Sequence, residues 1–181
     1  TPLLSIRFEI VAPINAPPIP KKEEITESDE YDIYVVKKGD SLYSIAKKFN
    51  LPVVIHTREA TEDTYEILKN HPAEYGTLLH CFSPTDDLVR LAIERGYYVA
   101  FGGNITYNRA KSFQGYMDRI PVEQIVIETD SPYLTPVPFR GKTNYPAYVK
   151  YVAEEIAHLR GVDVAEIIDI TTRNAEEFFG I

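Results

Sequence analysis

The apolar pattern of this chain changes character near residue 50. From Leu51 onward, apolar runs of strand length alternate with stretches of helical period. β runs fall at 52–57, 77–82, 97–101 and 124–128, and helices at roughly 60–71, 85–95, 109–118, 145–160 and 163–179. Strands alternating with helices predict βαβ units and a parallel sheet. The punctuation agrees. Thr85, Asp86 and Asp87 suit a helix start, Gly96 a helix stop, Pro146 a first turn, and Gly161 a break between two helices. About four such units amount to half of a TIM-type (β/α)8 barrel, whose whole needs about 250 residues.

Residues before Leu51 follow another logic. The stretch 3–11 alternates well enough from Ser5 to be a strand. Residues 12–30 carry Pro13, Pro17, Pro18 and Pro20 and then a charged, mostly acidic run, the composition of an extended solvated linker. Tyr34-Val-Val is a short β run leading to a Gly39-Asp40 turn. Ser41 or Asp40 then caps a helix with Leu42, Ile45, Ala46 and Phe49 on its apolar face. This strand, turn and helix resembles the opening of a LysM module, a βααβ family that binds N-acetylglucosamine glycans such as peptidoglycan. The second helix and closing strand of that family do not follow Asn50. Three regions are therefore expected: a strand-like segment and Pro-rich acidic linker at 1–33, a partial LysM-like module at 34–50, and a half-barrel at 51–181.

With 44% hydrophobic and 25% charged residues the 181-residue chain is of globular type, and no run approaches the 18 or so apolar residues of a membrane span. A formal charge of −8 argues against broad electrostatic attraction to a nucleic-acid backbone. It leaves a phosphodiester substrate open, because bound cations supply a positive field locally. Cys81 is the single cysteine, so no intrachain disulfide exists, and strand alternation turns it to the face opposite His80, toward the core.

Candidate chemistry lies at the strand ends. Val53-Val54-Ile55-His56, Thr77-Leu78-Leu79-His80 and Ile125-Val126-Ile127-Glu128-Thr129-Asp130 each deliver a metal-binding side chain at or just beyond the C-terminal end of a strand. In a parallel sheet those ends share one face. Two imidazoles and a carboxylate there make a candidate site for a divalent cation. Each also has a structural reading: a lone histidine as a hydrogen-bonded loop residue, and Asp-Ser-Pro as turn chemistry. Arg140-Gly141-Lys142 leads into a helix and offers two cations to a phosphate. His71 and His158 have no partner by spacing and read as structural or surface residues.

His-Thr-Arg-Glu-Ala at 56–60, His-Cys-Phe-Ser at 80–83, Phe-Gly-Gly at 101–103, Glu-Thr-Asp-Ser-Pro-Tyr-Leu at 128–134, Arg-Gly-Lys-x-Asn-x-Pro at 140–146 and Asn-Ala at 174–175 occur in this order. Together they resemble the C-terminal half of a TatD-family metal-dependent hydrolase, over residues 51–181. The resemblance implies a (β/α)8 barrel with one or two divalent ions (Mg, Mn or Zn), hydrolysing phosphodiesters as a deoxyribonuclease in the cytoplasm. It implies His56, His80 and Asp130 as metal ligands. Asp130 also orients or deprotonates the attacking water, and Arg58, Glu128 and Arg140 line the pocket. The family opens with a His-x-His pair and carries a glutamate on its fourth strand. No histidine precedes His56, and none of Glu9, Glu23, Glu24, Glu27 and Glu30 matches that glutamate. Four βα units alone leave two strand edges unpaired, so a homodimer or a partner chain completing the barrel is expected beside the DNA or other phosphodiester substrate. A non-catalytic peptidoglycan-binding protein at the cell envelope, or an inactive fusion fragment, are the alternatives.

Overall fold

The structure is a computed structural model that describes residues 34–107 and 111–181. The strand expected at 3–11 and the linker at 12–30 lie outside the described residues. The chain forms two compact units, Thr1–Asp40 and Ser41–Ile181. In the first, the described residues 34–36 adopt no strand, against expectation. Their geometry is set by Asp40, whose Oδ2 accepts from the Tyr34 hydroxyl at 2.9 Å and from the Lys37 N–H at 2.7 Å. A side chain that draws the backbone into a local turn competes with extended pairing.

The second unit begins with α1 (Leu42–Phe49), capped by Ser41 through a capping box with Ser44. Ile45 and Ala46 are buried, whereas Leu42, expected on the apolar face, is exposed. Then follow β1 (Val53–His56), α2 (Thr61–Asn70), β2 (Thr77–His80), α3 (Asp86–Arg95), β3 (Tyr98–Phe101), α4 (Lys111–Met117), β4 (Ile125–Ile127), α5 (Val149–Arg160) and α6 (Val164–Phe179). The strands pair in the order β1-β2-β3-β4, all parallel. Every strand and helix read from the pattern after Leu51 is present, trimmed by one or a few residues. α5 starts later than expected because residues 146–148 form a separate 3-10 turn.

The register explains why the sheet has two unlike faces. Ile55, Leu79, Val99, Phe101, Ile125 and Ile127 share one face and join α3, α4 and α5 in the main core, with Val99, Ile125 and Ile156 at 0% exposure. Each such aliphatic side chain stabilises the fold by about 1.5–3 kcal/mol. The opposite face carries His56, Leu78, His80, Tyr98, Ala100, Val126 and, just past β4, Glu128. Leu78, Ala100 and Val126 form a second, smaller cluster there with Phe178 of α6. Apolar residues thus fill the N-terminal part of this face and leave its C-terminal rim to polar groups. Asn174 of α6 fixes the approach to β4 by donating to the Val122 and Ile125 carbonyls at 2.8 and 2.7 Å. Among the described residues no helix is long and apolar enough to cross a membrane.

Candidate active site

His56 and His80 end neighbouring strands and are register partners. Residues paired in a parallel ladder point to the same side, so the two imidazoles stand side by side, ring centroids 5.3 Å apart and tilted by 43°. Glu128 arrives from β4, two strands away from β2. Its Oε2 lies 2.5 Å from His80 Nδ1, and its Oε1 accepts the Cys81 N–H at 2.8 Å. This reach depends on β3. Between them stand Ala100 and, just past β3, Gly102, where an added Cβ would make only an ordinary contact with Glu128 Cγ at 3.6 Å.

With Glu128 ionised, Nδ1 is the donor of the His80 ring, and a neutral ring then has its lone pair on Nε2. That nitrogen is 3.7 Å from Asp130 Oδ1. An anion holding one ring nitrogen while the other faces a second carboxylate is the arrangement by which proteins orient histidine ligands. His80 Nε2, Asp130 and the neighbouring His56 are the donor types that would hold a divalent cation. Among the described residues, no group of three or more His, Cys, Asp or Glu side chains closes into a metal cage.

Backbone strain gathers on the same rim. Glu59, Cys81 and Asp130 have φ of 52°, 49° and 55°, the left-handed region that is unfavourable for residues bearing a Cβ. This corrects the expectation for Cys81. Strand geometry ends at His80, so alternation no longer governs the next residue, and Cys81 is half-buried beside the site instead of in the core. Burial raises its thiol above the usual 9.0; Glu128 and Asp130 push the same way, and Arg58 opposes them. Arg58 itself is exposed, as is His56.

Asp130 is held by a residue that motif reading did not place in the site. Asn144 is 2% exposed. Its amide donates to the Thr129 and Tyr133 carbonyls at 2.7 and 2.6 Å, and its Oδ1 accepts the Tyr145 N–H at 2.9 Å. The Tyr133 N–H closes the turn on the Asp130 carbonyl at 2.9 Å. The signal was visible as the Asn within Arg-Gly-Lys-x-Asn-x-Pro; its partners were not. Gly103, in a glycine pair that by its sequence permits close backbone approach, is the second support. A Cβ there would lie 1.9 Å from the Leu134 carbonyl oxygen, so only glycine admits the loop that follows Asp130. Arg140 is exposed and stacks its guanidinium 4.2 Å from the centroid of Tyr107, whose hydroxyl donates to the Thr135 carbonyl at 3.0 Å. His71 and His158 are exposed and stand apart from this rim.

The sequence model of the family described as TatD related DNase matches residues 40–180. The chain belongs to this family. The match takes in α1, so that helix, read from sequence with the LysM-like segment, falls within the stretch that the TatD family model covers. An uncharacterized metal-dependent hydrolase of Bacillus subtilis strain 168, YabD, is 47% identical over 139 residues, covering 76% of this chain and 54% of the relative. YcfH of Escherichia coli K12, another uncharacterized metal-dependent hydrolase, is 40% identical over 138 residues, covering 76% and 52%. The chain spans about half the length of the curated relatives it matches. Among solved structures, YjjV, a TatD homologue from Escherichia coli K12, superposes with a TM-score of 0.71 at 27% identity, over 77% of this chain and 54% of that one. A TatD-family hydrolase from Entamoeba histolytica, at 17% identity and a TM-score of 0.62, shares the fold.

Proposed function

We propose that this TatD-family chain carries the C-terminal side of a divalent-metal-dependent phosphodiesterase site of the deoxyribonuclease type. The observation that supports it most is the His80 ring, held at Nδ1 by Glu128 with Nε2 facing Asp130 at 3.7 Å. His80 and Asp130, with His56, would supply donors to the cation. A bound divalent cation supplies charge neutralisation at the phosphoryl oxygens and a lowered pKa for nearby water.

The remaining chemistry belongs to the chain. Asp130, on a turn locked by Asn144, presents a carboxylate oxygen that takes the proton of an attacking water. Glu128 has both oxygens engaged by His80 and Cys81, so it acts by orienting His80. Arg58 and Arg140 are exposed cations, to which this reading assigns contacts with phosphate oxygens. The strands β1 and β4 pair on one side only among the described residues, and Val54 of β1 is 52% exposed. A second copy of the chain or a partner chain laid against these edges supplies the further donors that a closed metal site needs. A monodisperse monomer in light scattering counts against that assembly.

The test of activity is hydrolysis of bis(p-nitrophenyl) phosphate with added Mg²⁺, Mn²⁺ or Zn²⁺, beside Asp130→Asn. Turnover that requires metal and vanishes in the variant is the expected result. Turnover equal in the two proteins, or absent with all three metals, overturns the reading.

A further inference from the structure

Tyr133 and Tyr145 are among the most exposed aromatic side chains of the described residues, 72% and 54%. These two sit on a loop tied by several hydrogen bonds. Asn144 bonds the backbone of both, and the same amide holds Thr129, the neighbour of Asp130. Tyr133 also bonds the Asp130 carbonyl directly through its N–H. Behind Tyr145 the rings are already packed. Tyr148 meets it edge-on at 5.7 Å and 89°, and Phe139 stacks on Tyr148 at 4.7 Å and 11°.

Although the whole chain carries −8, residues 131–153, between Asp130 and Glu154, contain Arg140, Lys142 and Lys150 and no carboxylate. Lys142 lies 5.7 Å from the Phe139 centroid and Lys150 4.9 Å from that of Tyr151, so the cations accompany the aromatic cluster.

We propose that Tyr133 and Tyr145 are base-stacking positions for an unpaired polynucleotide, whose backbone follows Arg140 and Lys142 toward Asp130. This rests on the phosphodiesterase reading and adds to it the two side chains that meet the bases of the substrate. Every base has a π-face, so a rigid aromatic ring binds single strands with little regard to sequence, whereas a duplex keeps its bases stacked inside. Rings held by a fixed loop bind without the entropy of ordering the loop first.

The experiment measures binding of a fluorescent oligothymidine to the purified chain by anisotropy in EDTA, where no hydrolysis contributes. A matched oligomer of abasic sites serves as the second probe. Tyr133→Ala and Tyr145→Ala each weaken oligothymidine binding about ten-fold. Tyr133→Phe and Tyr145→Phe bind like the parent, and the abasic strand binds the parent as weakly as oligothymidine binds the double alanine variant. Equal binding of the two probes, or alanine variants that bind like the parent, overturns the proposal. So does a change of particle mass in the alanine variants with binding unaltered, which makes the face a contact between protein chains. Hydrolysis of bis(p-nitrophenyl) phosphate, which has no base to stack, reports separately on the site. Its loss with oligothymidine binding intact removes the catalytic reading and leaves the stacking positions standing.

Discussion

The two margins of the candidate site are built differently, although both end parallel strands of one sheet. On the β4 side, Glu128 bonds across β3 to β2, and Asn144 and Gly103 fix the loop that carries Asp130. On the β1 side, His56, Arg58 and Glu59 are exposed, and β1 is paired along one edge only among the described residues. Among the described residues β4 is an edge strand like β1, so pairing does not separate the two margins; the bonds that Glu128 and Asn144 make around Asp130 do. The contrast teaches that His80 and the turn carrying Asp130 are positioned by hydrogen bonds within this chain, whereas His56 and Arg58 stand exposed.

The largest effect expected is at Gly103. Gly103→Ala forces the Leu134 carbonyl away and lowers stability by about 3 kcal/mol or more, read as a fall in the urea midpoint. Gly102→Ala, where the new Cβ meets nothing closer than 3.6 Å, leaves the midpoint near that of the parent. Equal effects at the two glycines refute the close approach of the loop.

Next comes Glu128→Ala. It leaves the Cys81 N–H and the His80 Nδ1 without their acceptor, for about 2–4 kcal/mol, and lowers metal affinity about 10- to 100-fold by calorimetric titration. Unchanged affinity means that Glu128 does not set the orientation of His80. Asn144→Ala is expected to lower stability by about 1–3 kcal/mol, because two carbonyls and one N–H lose their side-chain partner. Any phosphodiesterase activity then falls more than stability accounts for, as Asp130 loses its fixed turn.

A smaller effect concerns pH. The Cys81 thiol is raised in the folded chain, so the folded state keeps its proton to higher pH than the unfolded state does. Its contribution to stability is full below the unfolded value near 9.0 and is lost as pH climbs through the folded one. Cys81→Ser flattens this alkaline decline in a urea midpoint measured against pH; an unaltered slope assigns the decline to other groups. Smallest of all, Arg58→Ala on the open β1 margin changes stability by no more than about 0.5 kcal/mol, within the ordinary range for surface substitutions. A large loss there shows that the β1 margin is fixed after all.

Much of this architecture was legible in the chain. Val53–His56, Thr77–His80, Tyr98–Phe101 and Ile125–Ile127 show as strands because each is an apolar run bounded by polar or turn residues. His56, His80 and Asp130 show as candidates because a side chain at a strand's C-terminal end has a known destination. The segment at 34–36 misled because Val35 and Val36 suit a strand by propensity, yet Asp40 closes a local turn on Lys37. Cys81 misled because alternation was carried one residue beyond the strand.

The sequence by itself determined the order and kind of the elements, the side on which candidate ligands emerge, and family membership, since all of these follow from local pattern or from residues read in order. Tertiary structure alone decided the contacts that convert those residues into a site. Glu128 serves His80 because the intervening strand puts only the small Ala100 on this face near its end, and Asn144 serves Asp130 because Gly103 lets the loop close. Such pairings join residues that are distant in the chain, and their distance in space is fixed by packing the sheet, not by any local propensity.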